Sequence, residues 1–218
     1  MRKVNIIYLC LLILNISSCS YSNYQKSVVS EHRKTLEEKE VNFFSYKDFN
    51  YIPIKEKYSF KINGEDKTFN FEEGKSYFKA FKINPQTGNY LLVVKSRAYG
   101  GQNIVFKKPT LLMPKIILLD KNKDVLALDS ELISSTFSSE YNLSRSYLIN
   151  MELGPLVEYV VVYTDPSFAG KIIDNPQRMN AYYAGNGMVG FSTVPGTPKA
   201  LSIEGNMVIK IKQPNFLK

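Results

Sequence analysis

The sequence predicts a mainly β protein, an antiparallel β-sandwich of jelly-roll-like form with one short helix. Three observations lead there. Short runs rich in β-branched and aromatic residues recur at intervals of roughly 8 to 12 residues, punctuated by Gly, Asn and Pro. The run Glu158 to Thr164 (EYVVVYT) is β-branched and aromatic throughout, the composition of a central strand. Phe69 to Ile83 (FNFEEGKSYFKAFKI) alternates large apolar with polar residues on either side of Glu73-Gly74, the period-2 pattern of a half-buried hairpin.

In chain order, residues 1–18 have a basic start (Arg2, Lys3), an apolar run from Ile6 to Leu14 and a small polar end, which is a signal peptide by charge, length and order. The run falls short of the roughly 20 residues that span a bilayer. Ile16, Ser17, Ser18 and Cys19 resemble the bacterial lipobox. That resemblance implies cleavage before Cys19, diacylglycerol on its sulfur and an acyl chain such as palmitate on its new amino group. Several chains together anchor stably where one is marginal. Ser20 stands where an aspartate would favour the inner membrane, so an outer-membrane lipoprotein is expected. This covalent lipid is the one cofactor expected.

Cys10 leaves with the signal and Cys19 carries lipid, so disulfides, thiolate catalysis and cysteine metal sites drop out. Processing also removes two of the basic residues behind the formal charge of +8, leaving +6. With acids and bases interspersed along the chain, that charge reads as a solvated surface and argues against nucleic acid as a partner. Residues 19–40 are polar and aperiodic, and read as a lipidated tether. The stretch HRKTLEEKE has the charge pairs for two helical turns but too little apolar surface to hold them without a partner. The domain is expected over 41–218.

Val41 to Ile54 is dense in aromatics and reads as an arm or first strand. Strands are then expected at Tyr58 to Ile62, Thr68 to Phe71, Tyr77 to Ile83 and Tyr90 to Ser96, with a tight Asn63-Gly64 hairpin joining the first two. After a Gly-rich loop with Pro109 and Pro114, Ile116 to Leu119 is apolar without alternation, as in a strand buried on both faces. Asp120-Lys121-Asn122 turns the chain into Val125 to Leu128. Ser130 to Ser146 reads as a polar stretch. Asn175 and Pro176 have the form of a helix cap and first position, which places the one short helix of the domain there. Met188 to Thr193, Lys199 to Ile203 and Asn206 to Lys212 close the chain, with Gly205-Asn206 joining the last two.

Little in the chain points to chemistry. His32, the only histidine, falls in the tether, which removes Ser-His-Asp catalysis and nearly all histidine metal ligation from the domain. Asp120, Asp124 and Asp129 lie close in sequence, but a calcium loop needs a glycine and a distal glutamate that DKNKDVLALD lacks. Gly185 to Gly190 matches G-x-G-x-x-G in the wrong setting, with helix-like residues before it and strand-like residues after, so it reads as a helix stop. Among the aromatics, Tyr99, Tyr182 and Tyr183 flank Gly-rich loops and are the candidate ligand surface.

From about Phe43 to Lys212 the chain resembles the maltose operon periplasmic protein (MalM) family. The resemblance rests on FNFEEGKSYFKAFKI, LLVVKS, PKIILLD, YVVVYTD, PQRMNAYYAGNG, VPGTP and GNMVIKIK, in that order. It implies a periplasmic or lipid-anchored β-sandwich associated with maltose and maltodextrin uptake, and it brings no catalytic residues. The longer carboxy-terminal extension of some members is not matched. The expected protein is therefore non-enzymatic, anchored in the envelope, and binds a glycan such as maltodextrin or, alternatively, serves as an accessory subunit of an outer-membrane protein complex. A glycan site calls for an exposed aromatic platform, a protein site for an apolar patch or unpaired strand.

Overall fold

The structure, a computed structural model, describes residues 26–83, 90–97, 110–128, 134–139, 145–173, 178–183, 189–194 and 199–212. An α-helix, α1, covers residues 26–38. The strands that follow are β1 Tyr51–Ile54, β2 Lys57–Ile62, β3 Thr68–Phe71, β4 Gly74–Ile83, β5 Tyr90–Arg97, β6 Leu111–Leu112, β7 Pro114–Leu119 and β8 Val125–Leu128. Then come β9 Ser134–Ser139, β10 Arg145–Leu153, β11 Tyr159–Thr164, β12 Ile172–Ile173, β13 Arg178–Tyr183, β14 Val189–Val194, β15 Lys199–Ser202 and β16 Gly205–Lys212.

Two sheets make the sandwich. The first runs β1-β4-β11-β7-β8 with β3 also on β4, and the second runs β2-β16-β5-β10-β9. Number the framework strands β2, β4, β5, β7, β8, β10, β11 and β16 from first to eighth. The second sheet then holds first-eighth-third-sixth, the first sheet second-seventh-fourth-fifth, and neighbours in each are antiparallel. That is the strand order of a jelly roll, as the sequence predicts.

Pleat alternation decides what each strand buries. Tyr77, Phe81, Ile116, Val160 and Val162 of the first sheet meet Leu92, Val94, Ile149, Met207 and Ile209 of the second in one core. The next residues along, Phe78, Ile117, Val161 and Tyr163, point to the opposite face of the first sheet. The arm at residues 41–50 covers that face. Its Phe49 stacks on Phe78 at 4.1 Å between ring centres, and Asn42 bonds to both backbone groups of Thr68. So β7 and β11 are buried on both faces, which is why Ile116 to Leu119 carries no alternation. β1 continues the arm as a parallel strand along the second half of β4, with Pro53 opposite Lys82. A small sheet, β12-β15-β6, lies beside this core, and its Leu111, Leu112 and Leu201 belong to it.

Several expectations are corrected. The helix lies at 26–38, inside the expected tether, while Arg178–Tyr183 is a strand paired with β14. Asn175 and Pro176 lie outside the described residues, and the alternation in RMNAYY is satisfied by pairing with VGFSTV. Gly185, expected to end a helix, lies outside the described residues. Asn63-Gly64 does turn the chain, with Asp66 N–H on Asn63 O at 3.0 Å, but no hairpin results. Its flanking strands go to different sheets, β2 to β16 and β3 to β4. Gly205-Asn206 likewise begins β16 and is not a hairpin loop. The polar stretch from Ser130 holds β9 and the start of β10, a pair in register from Ser139↔Arg145 to Ser134↔Asn150. The hairpin at Glu73-Gly74 is as expected, with Gly74 at φ +122°, a conformation that suits glycine.

Candidate functional site

The first sheet is covered on both faces, so the large face left for contact among the described residues is the outer face of the second sheet. Its composition follows from the pleat. With Phe60, Ile62, Met207, Ile209, Leu92 and Val94 turned inward, the alternate residues Lys57, Ser59 and Lys61 of β2 face out. So do Asn206, Val208, Lys210 and Lys212 of β16, Leu91, Val93, Lys95 and Arg97 of β5, and Glu152 of β10. Cross-strand register lines them up: Lys61–Asn206–Arg97–Ser146 in one row, Ser59–Val208–Lys95–Leu148 in the next, Lys57–Lys210–Val93–Asn150 in a third. Among the described residues, six cations share the outward positions of these strands with one carboxylate, Glu152, and Glu204 stands at their edge near Lys61, against a formal charge of +8 for the whole chain. A shallow depression of about 470 Å³ sits over the first two rows, lined by Ser59, Phe60, Lys61, Arg97, Asn206, Met207 and Val208.

This corrects the reading of the charge as interspersed. In sequence the six residues are scattered over three strands among acids; the topology gathers them. The signal was present as K-x-x-x-K in β2, K-x-R in β5 and K-x-K in β16, basic residues at even spacing whose partners alternate apolar. Only the strand order, which the sequence does not state, shows that the three are neighbours.

A second polar group lies at the seam between α1 and the sandwich. Val29 and Leu36, seven apart, share one helical face and are buried, with Arg33–Glu37 and Lys34–Glu38 pairs on the exposed side. Lys75 Nζ donates to the carbonyls of Glu37 and Lys39, satisfying the helix end. His32 lies between these faces. Its Nδ1 is 3.5 Å from Ser202 Oγ and its Nε2 3.8 Å from Glu204 Oε2. So the histidine does reach a serine and a carboxylate in the domain, contrary to the expectation from its place in the tether. The arrangement is a fastening. Ser202 is only 2% exposed, and its Oγ accepts the Glu204 N–H at 3.1 Å, so it offers no accessible nucleophile.

Burial raises the Glu204 carboxyl above its ordinary range, with the His32 and Lys61 charges and the Gly64 N–H opposing that rise. The Tyr77 hydroxyl is pushed up to about 12 by burial and by the carboxylates of Glu204 and Asp66. Asp66 is itself paired with Lys79, and Lys39 Nζ stands 5.2 Å over the Tyr77 ring.

Two facing carboxylates, which a hydrolase would need, do occur at Glu73 and Asp165, both beside Lys115 Nζ. Burial works to raise Glu73, but hydrogen bonds from Lys115, its own backbone and Tyr163 outweigh it and hold the carboxyl below its ordinary range. Asp165 Oδ1 accepts the Ser167 N–H at 2.8 Å. A glycosidase acid needs the opposite shift, so Glu73 does not fit that part. Asp120 Oδ1 closes its own turn by accepting the N–H groups of Asn122 and Asp124, and no group of three metal-ligating side chains forms among the described residues. Ile16, Ser17, Ser18, Cys19 and Tyr99 lie outside the described residues, as do the side chains of Tyr182 and Tyr183, whose backbones pair with Gly190 and Val189. In comparisons with protein families, curated proteins and solved structures, nothing matches this chain.

Proposed function

We propose that this chain is a non-enzymatic, lipid-anchored protein of the bacterial envelope, held to the outer membrane through Cys19, whose jelly-roll domain binds an anionic partner. The observation that carries the reading is the outer face of the second sheet, where, among the described residues, the outward strand positions hold six basic side chains and a single carboxylate. A neutral glycan such as maltodextrin, the ligand implied by the resemblance to the maltose operon family, would instead use an aromatic platform at Tyr99, Tyr182 and Tyr183.

Thermal unfolding of the lipidated chain in neutral detergent separates these ligand classes. A ligand that binds only the folded state stabilises it by about 2.7 kcal/mol at a hundredfold excess over Kd. A rise in Tm with anionic ligands and none with maltodextrin supports the basic face; the reverse result sinks it. Replacing Cys19 with Ala should abolish labelling by palmitate and release the protein from the membrane.

A second reading is an accessory subunit that binds a protein. It is favoured by exposed large apolar residues at the same end of the first sheet, Val125 and Leu126 of β8 and Leu156 before β11, the strands that flank β7. Cross-linking from this patch in intact envelopes tests it, and absence of any cross-linked protein would exclude it.

A further inference from the structure

We infer that the basic outer face of the second sheet lies against the anionic headgroup surface of the membrane that holds the lipid anchor, so that the domain rests flat on the bilayer. This builds on the lipid-anchored reading above and names the partner of the same face.

The length of the spacer is the first argument. With residues 26–38 folded as a helix docked on the sandwich, only the segment from Cys19 to residue 25 separates an anchor from the domain. Seven residues, fully stretched, reach at most about 25 Å. A domain held that close meets the lipid surface at high effective concentration, so weak contacts suffice to orient it.

The place of the helix is the second. α1 docks through His32 on Ser202 and Glu204, and Glu204 stands two residues before Asn206, the centre of the row Lys61–Asn206–Arg97. The middle of the helix that follows the anchor segment is thus fastened beside the start of β16, next to the row Lys61–Asn206–Arg97.

The third argument is shape and chemistry together. Attraction to an anionic leaflet grows with each basic residue brought within about 8 Å, the screening length at physiological salt. A sheet face presents its cations in one gently twisted layer, strands roughly 4.8 Å apart, where all of them approach a plane together. Single-stranded nucleic acid would need aromatic rings for its bases to stack on. The outward positions of β2, β5 and β16 hold none. Duplex nucleic acid would call for an element that enters a groove. Here there is a flat sheet.

Lysine acetylation followed by mass spectrometry tests the contact on the intact lipidated chain, reconstituted in vesicles of phosphatidylcholine alone or mixed with phosphatidylglycerol. Lys57, Lys210 and Lys212 should react roughly fivefold more slowly in the anionic vesicles, and the difference should vanish at about 0.5 M salt. Lys47 and Lys121, on the side of the first sheet, should react alike in both. A chain with Lys57→Glu, Lys210→Glu and Lys212→Glu should show no difference between vesicles at Lys61 and Lys95. Equal reactivity of the wild-type lysines in the two vesicles overturns the inference. So does protection by soluble dextran sulfate without protection by phosphatidylglycerol, which would assign the face to an acidic glycan. The intact mass, read separately, reports the acyl chains. A lipidated chain without the footprint refutes the docking alone, and an unlipidated chain refutes the anchor alone.

Discussion

Single atoms set the tolerance of this fold at a few positions. A Cβ on Gly205 would stand 2.8 Å from Leu112 Cβ, inside any real contact distance, because β16 crosses tightly over β6 there. Gly205→Ala should cost about 1–3 kcal/mol by overpacking, measured as a shift in the urea midpoint. Two glutamates should respond to acid with opposite sign. Glu73 sits below its ordinary value of 4.5, so its contribution is present above pH 4.5 and is lost as the pH falls through its folded value. Glu73→Gln should therefore destabilise by about 1–2 kcal/mol at pH 7, and the gap to wild type should close in acid. Glu204 sits above its ordinary value, so its contribution is complete below pH 4.5 and is lost as the pH rises through its folded value. Glu204→Gln should remove the part of stability that grows with acid. Urea unfolding from pH 7 to pH 3 reads both slopes, and equal slopes in the two variants would contradict the assignment.

At the scale of elements, α1 behaves as part of the domain. Leu36, 2% exposed, belongs to the main core beside Ile62, Tyr77 and Leu112. Leu36→Ala should cost about 2–5 kcal/mol, whereas a solvated tether would leave the midpoint unmoved. Hydrogen exchange across residues 26–38 gives the same answer locally. The elements also show what a sequence can disclose. Strands with one dominant constraint were legible: EYVVVYT as a central strand, KIILL as one buried twice, Phe69 to Phe78 as a hairpin. The turn at Asn63-Gly64 was legible too, but a turn does not say whether the next strand stays in the same sheet, and here it crosses the sandwich. α1 was hidden because its two buried residues, Val29 and Leu36, are sparse among charges, and the surface that holds them is assembled from distant parts of the chain, from Ile62, Tyr77 and Leu112 to Gly170. β10 was passed over because its start, Arg145 and Ser146, looks like the polar stretch before it. The candidate site was the least legible, since alternating lysines on separate strands become one face only once strand order is known.

Across the whole molecule, charge and layering act together. The arm seals one side of the first sheet with Phe43, Tyr46 and Phe49, and the second sheet presents on the other its basic outward positions, of which Lys57, Arg97 and Lys212 are exposed and Lys61, Lys95 and Lys210 half-buried. Among the described residues the two broad sides of the sandwich therefore differ in chemistry, which is the asymmetry the proposed docking uses. Jelly rolls still leave outer strands, and β1, lying along the last four residues of β4, is one. Pro53, exposed in the middle of that strand, has no N–H to offer a passing chain. On the lipid-anchored reading proposed above, copies confined to two dimensions would collide often, and an unpaired strand edge would invite sheets of different copies to join edge to edge. A proline in that outer strand opposes such pairing, because it removes one backbone donor from the edge. Pro53→Thr should leave the unfolding midpoint of the dilute protein within about 0.5 kcal/mol of wild type and raise the fraction recovered as higher-order species at high surface density.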